Sequence, residues 1–270
     1  MTKRAIIISL LFFPILLLGQ KAENDLRLFP KKEYFKSYIS DSRDIIRTPY
    51  YFTKKEWVNT ALLTSAGIAI MSQDRAIYNF AHNKHNSLSN NISKYFLEPF
   101  GNVKYIAPLL GGMYLHSTLS HNNYERQTAL SSAKAVIIST VMIEIPKQIF
   151  HRHRPEQDIT PDATNWDGPF SAFKYRSFPS GHSTIAFSAA TVIASAYQHK
   201  KWISITAYSI ATLSALSRIH DNEHWASDIF FGSLTGYFIG RTIYKNDFLK
   251  NRKINTGITS SGIGIWIKLN

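Results

Sequence analysis

The sequence predicts an all-α fold, a helical bundle followed by a short strand-like tail. Three observations carry this. Apolar stretches of helical length recur at about 103–119, 124–150, 182–198, 201–217 and 225–246. The segments between them collect the breakers, with Pro155, Pro161, Pro169 and Pro179 all falling within 151–180. Only the C-terminus changes period, where Gly262, Ile263, Gly264, Ile265, Trp266 and Ile267 alternate as in a strand. A chain of 270 residues suits one domain with a sizeable core.

The elements follow in order. Residues 1–20 read as a secretory signal peptide: Lys3 and Arg4 start it, Ala5 to Leu18 is apolar, and Gly19 precedes a polar stretch. Leu18 stands where a small residue is usual, so an uncleaved N-terminal anchor is the alternative. Either way the body is exported, to the periplasm or cell envelope of a bacterium. Residues 21–52, polar and aromatic, read as an irregular arm. Thr53 and Glu56 form a capping box that opens a helix from Lys54 to about Asp74. Residues 82–101, rich in Asn, His and Ser, read as loop with one short helix. The helical domain spans 53–250, and 251–270 is the tail.

Whether the helices cross a membrane depends on length and parity. Each run is about 15–18 residues, against about 20 for a spanning helix. Lys134 and Glu144 interrupt two of them. Gln198-His199-Lys200-Lys201 resembles a basic cytoplasmic turn. Yet crossings at 57–72, 103–119 and 128–146 would leave Lys147, His182 and His224 inside the cell. A helical body wholly in the periplasm is therefore favoured over a membrane-embedded bundle.

The formal charge of +13 suits anionic partners: a phosphorylated lipid, a small phosphate ester or an anionic membrane surface. No basic run carries interleaved aromatics, which argues against nucleic acid. The absence of cysteine excludes disulfides, thiolate catalysis and cysteine metal sites.

Three clusters hold chemistry-bearing residues. In the first, Lys147 and Arg154 are seven apart, two helical turns, so both heads can face one side. Pro155 puts Arg154 at a helix end, and two cations facing one point make an anion clamp. In the second, Pro179-Ser180-Gly181-His182 precedes an apolar helix. Ser180 can cap it, Gly181 allows close backbone approach, and free amides there bind anions. His182 stands where an acid could protonate a leaving oxygen. In the third, Ser217-Arg218 is followed by His224 and Asp228, four apart and expected to share a helix face. A carboxylate on one ring nitrogen leaves the other free to attack. Taken singly, each cluster is also what a basic helix end, a capped helix start or a surface His–Asp pair looks like.

Together, in order and spacing, these clusters resemble the signature of the type 2 phosphatidic acid phosphatase family, which is related to bacterial non-specific acid phosphatases and vanadium haloperoxidases. All its motif positions are filled between Lys147 and Asp228. The resemblance implies that family's helical bundle and a phosphate-ester hydrolase. It implies that Lys147, Arg154 and Arg218 bind phosphate oxygens, helped by Ser180 and the Gly181 amide. His224 would attack phosphorus, Asp228 would orient it, and His182 would serve as acid and then base. It implies no metal and no cofactor, because three cations stabilise the charge on the phosphoryl oxygens.

Two alternatives share these residues. His220, Glu223 and His224 fit the His-x-x-Glu-His pattern of inverted zinc peptidases, but no glutamate follows Glu223 to complete a ligand set. A vanadate-dependent haloperoxidase would use the same pocket in a typically much longer chain. His151 and His153 read as solvated residues near the site mouth.

Overall fold

Thr53 opens a helix where the sequence places it. Its hydroxyl accepts from the Glu56 amide, and the Glu56 carboxylate accepts from the Thr53 amide at 2.8 Å. In this computed structural model, residues 30, 32–83 and 86–249 are described, together with the backbone of 255–259 and 262–266. The leader expected at 1–20 lies outside the described residues.

The helices are α1 (Lys32–Arg47), α2 (Lys54–Met71), α3 (Asp74–His82), α4 (Ser87–Ile92), α5 (Val103–Leu119), α6 (Asn123–Met142), α7 (Glu144–Phe150), α8 (Gly181–Ala196), α9 (Lys201–His220) and α10 (Ala226–Tyr244). Short helical turns over Ser93–Leu97 and Glu98–Gly101 join α4 to α5. The tail pairs β1 (Asn255–Thr259) with β2 (Gly262–Trp266) as an antiparallel hairpin, Thr259 opposite Gly262. The strand expected near 262–267 is therefore present.

Two expectations need correction. The arm at 21–52 is not irregular throughout, because Lys32–Arg47 forms α1. Tyr34, Tyr38, Asp41 and Ile45 recur at helical spacing. Ile45 joins the core of Ala135, Ile138, Val192, Ile239 and Ile243, and Tyr34 donates to the Leu130 carbonyl at 2.9 Å. The polar composition of α1 hides that stripe. The second correction concerns the helix begun at Lys54, which stops at Met71; Asp74 starts α3 instead of ending α2.

Helix α8 occupies the middle, against α6, α9 and α10. Its buried face is mostly small: Ser183, Thr184, Ala186, Ser188, Ala189 and Ala190. Helix α10 meets it with Gly232, Gly236 and Gly240. A Cβ on Gly232 would lie 2.5 Å from the Ser180 carbonyl oxygen, and one on Gly240 would lie 2.5 Å from that of Ser188. Only glycine permits this approach, and it sets α10 close beside the start of α8.

Lys134 does not break up α6. It is fully buried and neutralised by Asp41 at 2.5 Å and Asp247 at 2.7 Å, which ties α1 to the chain beyond α10. The outer helices expose apolar side chains: Leu62 and Ile68 on α2, Leu109 and Leu115 on α5, Val141 on α6, and Ile205, Leu213 and Leu216 on α9. Among the described residues, one stretch, Asn123–Phe150, is long and apolar enough to cross a membrane by length and composition.

Candidate active site

Four chain segments bring the predicted residues to one end of the bundle: α7 with the stretch after it, the start of α8, the end of α9 and the start of α10. Lys147 lies on α7, buried, its Nζ 3.2 Å from where a Cβ on Gly181 would stand. Arg154 reaches the same place by another route than expected. Helix α7 ends at Phe150, His151 caps it in the left-handed region (φ 42°), and Arg154 is extended. Lys147 and Arg154 thus converge from a helix and a loop, not from one helix face. The loop start agrees with Pro155, which disfavours helical backbone at Arg154.

Ser180 caps α8 as predicted. Its hydroxyl accepts from the Ser183 amide, and its own amide donates to the Asp228 carbonyl at 3.0 Å. Its side chain is committed to the cap. The outward amides of the first turn, Gly181 and His182, are those a helix start leaves for an anion. His182 Nε2 is buried and has no partner among the described residues, as is the case for Arg154 Nε and Arg218 Nε.

His224 and Asp228 do not share a helix face. His224 precedes α10, whose cap is Trp225, and Asp228 sits in the first turn, accepting from the Trp225 amide at 3.0 Å. Asn222, at φ 59°, turns the chain so that the His224 amide returns to the Arg218 carbonyl. His224 Nδ1 stands 3.7 Å from Asp228 Oδ2. Between them lies a residue the sequence reading did not single out. The Ser177 hydroxyl donates to Asp228 Oδ2 at 2.5 Å and sits 3.3 Å from His224 Nδ1. Hydroxyl and carboxylate together favour the tautomer with hydrogen on Nδ1, which leaves the Nε2 lone pair free. Burial, with the charges of Arg154 and Lys147 and against the Asp228 contact, pushes the imidazole down to about 4, so it is neutral at pH 7.

Arg152 is the second residue missed. It is fully buried. Its Nη1 donates to Asp228 Oδ1 at 2.6 Å and to Ser227 Oγ at 2.8 Å; its Nη2 donates to Asp74 Oδ2 at 2.7 Å. The guanidinium carbon stands 4.6 Å from the Trp166 ring centre. Asp74 also accepts from the Ser227 amide and hydroxyl. Burial raises the Asp74 carboxyl against the pull of Ser227 and Arg152. A chain Asp74–Arg152–Asp228 therefore holds the far side of the carboxylate beside His224.

The neighbouring histidines differ from expectation. His151 is buried, not solvated, and neither ring nitrogen has a partner among the described residues. His153 stacks on Tyr175 at 3.6 Å and pairs with Asp158 at 2.8 Å. The zinc-peptidase set does not converge. His220 Nε2 meets Ser89 at 3.0 Å, Glu223 meets two arginines, and His224 faces Ser177. Among the described residues no group of three or more metal-ligating side chains is gathered.

Comparison with known proteins gives likenesses that include this site. Residues 128–252 match the model of the PAP2 superfamily, and the match contains every residue from Lys147 to Asp228. That match spans 125 of the 270 residues, under half of the chain. A lipid A 1-phosphatase from Porphyromonas gingivalis is 32% identical over 116 residues, 43% of this chain and 23% of the relative. The chain thus matches less than a quarter of that protein's length. Two solved structures align at a TM-score of 0.47 each. One is a transmembrane PAP2 type phosphatidylglycerolphosphate phosphatase from Bacillus subtilis, at 20% identity over 80% of this chain and 94% of that one. The other is Aquifex aeolicus LpxE, at 21% identity over 64% of this chain and 94% of that one.

Proposed function

We propose that this chain is a phosphatase of the PAP2 kind that hydrolyses phosphate monoesters of membrane lipids through a phosphohistidine on His224. One observation carries the reading. Lys147, Arg154, Arg218, His182 and His224 meet at one end of the bundle, and buried nitrogens of Arg154, Arg218 and His182 have no partner among the described residues. Buried donors are normally satisfied, and a phosphoryl group would satisfy these.

The reaction follows from their placement. Lys147, Arg154 and Arg218 hold the phosphate oxygens, with the Gly181 and His182 amides at the start of α8. His224 Nε2 attacks phosphorus and the bond to the ester oxygen breaks. Burial and the charge of Arg218 hold His182 down at about 3, so without substrate its ring is neutral; it takes up the proton of a phosphate monoanion as the ester binds and gives it to the departing alkoxide. Asp228 and Ser177 keep the Nδ1 proton in place while positive charge builds on the ring. His182, now neutral, takes a proton from water as the water oxygen attacks phosphorus. The N–P bond breaks, giving inorganic phosphate and free His224. The cations act on the phosphoryl oxygens, where charge stabilisation is most effective.

The lipid part of the reading rests on the lipid A phosphatase relative and on the bundle's flanks. Leu62, Leu109, Val141 and Ile205 are exposed on four helices whose outer surfaces carry apolar side chains. Such helices fit hydrocarbon better than water. This favours the membrane-embedded alternative over a body wholly in the periplasm, with the site at the polar end of the bundle.

The test is a phosphate-release screen on the full chain in detergent, with and without chelator, over lipid phosphates and soluble esters. Release from lipid phosphates that survives EDTA is expected. No release from any phosphate ester, or full loss with EDTA restored by zinc, would overturn the reading.

A further inference from the structure

The three cations of the site are not equally free. Arg218 has a fixed counter-ion in Asp221 at 3.1 Å, and Asp221 is itself held by the Ser93 hydroxyl at 2.7 Å. Glu223 is different. One of its oxygens pairs with Arg154 Nη1 and the other lies 2.8 Å from Arg218 Nη2. Among the described residues these two guanidiniums are the side-chain partners that hold it. Arg154 and Glu223 keep 25% and 31% of their side-chain surface exposed, so solvent reaches the pair.

A carboxylate laid across two guanidiniums presents two oxygens to two N–H forks, the arrangement in which arginines take up two oxygens of a phosphate. Glu223 also precedes His224 directly, and its amide donates to the Arg218 carbonyl at 3.0 Å, so its backbone is anchored independently of what its side chain pairs with. We infer that Glu223 is an internal competitor for the phosphate site, occupying the Arg154–Arg218 fork until a phosphate displaces it, and that it sets how weakly the site retains inorganic phosphate. This rests on the reading of Arg154 and Arg218 as phosphate ligands. It adds a residue that acts against binding.

The competitor role and a structural role predict opposite signs. If Glu223 merely held the arginines in place, removing its charge would loosen the fork and weaken anion binding. As a competitor, its loss leaves the fork open. The experiment measures the affinity of inorganic phosphate for the full chain in detergent, by direct titration and as inhibition of ester hydrolysis. Wild type, Glu223→Gln and Glu223→Ala are compared, with thermal unfolding confirming that each variant is folded. Phosphate should bind either variant about tenfold more tightly than wild type, equivalent to ~1.4 kcal/mol. KM for the ester should fall with it, because the carboxylate opposes substrate and product alike. Equal or weaker binding by the folded variants overturns the competitor role while leaving the phosphate site standing. Absence of phosphate binding in wild type and variants together overturns the site reading itself, and the inference with it.

Discussion

Arg152 offers the most demanding test of how the site is held. It stands fully buried between two buried carboxylates, 2.7 Å from Asp74 and 2.6 Å from Asp228. Arg152→Met keeps much of the side-chain volume and removes the charge. Asp74 and Asp228 are then left in a low-dielectric interior with no cation between them. Breaking a buried ion pair from one side costs about 3–5 kcal/mol. At ~2–4 °C per kcal/mol for a domain of this size, that is a fall of about 6–20 °C in Tm. Thermal unfolding in one detergent, followed by tryptophan fluorescence, measures it. Adding Asp74→Asn to the Met variant removes one of the two stranded charges and should return part of the loss. A Met variant within ~2 °C of wild type would refute the argument, and so would a double variant no more stable than the single.

Two further outcomes follow from the packing and from His224. Gly236→Ala drives a Cβ into the Thr184 carbonyl and to within 3.0 Å of Phe187 Cβ, and should cost about 1–3 kcal/mol. Gly111→Ala, where nothing lies within 4 Å, should be neutral or stabilising by up to about 1 kcal/mol; equal losses at both sites would contradict the close α8–α10 contact. His224 is lowered to about 4 by burial from its ordinary 6.5. The unfolded chain therefore binds a proton below about pH 6.5 that the folded one refuses until about pH 4. Stability tied to neutral His224 is complete above pH 6.5 and is lost as pH falls to 4, by up to about 3 kcal/mol. The Tm of wild type should fall relative to His224→Gln across that window, and a constant gap would show that the ring is not held neutral.

The sequence disclosed the proposed reacting groups more readily than what supports them. Lys147, Arg154, His182, Arg218, His224 and Asp228 lie in short motifs beside helix ends, and the structure brings all six to one end of the bundle. Their local geometry was less legible. Four-residue spacing suggested one helix face for His224 and Asp228, but the turn at Asn222 places the histidine ahead of α10. Arg152 was given no role, because its partner Asp74 is 78 residues away and no periodicity joins them. Ser177 sits two residues before the Pro-Ser-Gly-His motif in a loop whose serines look alike. The PAP2 resemblance points to the proposed reacting residues, while Arg152, Ser177 and the contact of Glu223 with Arg154 and Arg218 emerge only when the segments are folded together. Helix α1 was hidden by its polar surface, although the spacing of Tyr34, Tyr38, Asp41 and Ile45 was there to be found.

The central claim is a covalent phosphoryl group on His224. His182→Ala keeps the nucleophile and removes the acid and base, so an activated ester such as nitrophenyl phosphate can still phosphorylate the protein while hydrolysis of the intermediate slows. Rapid mixing of labelled substrate with His182→Ala, quenched without acid, should trap a base-stable, acid-labile phosphoryl group that maps to His224, and His224→Ala should trap none. Equal label on both variants, or label on a serine, would contradict the account.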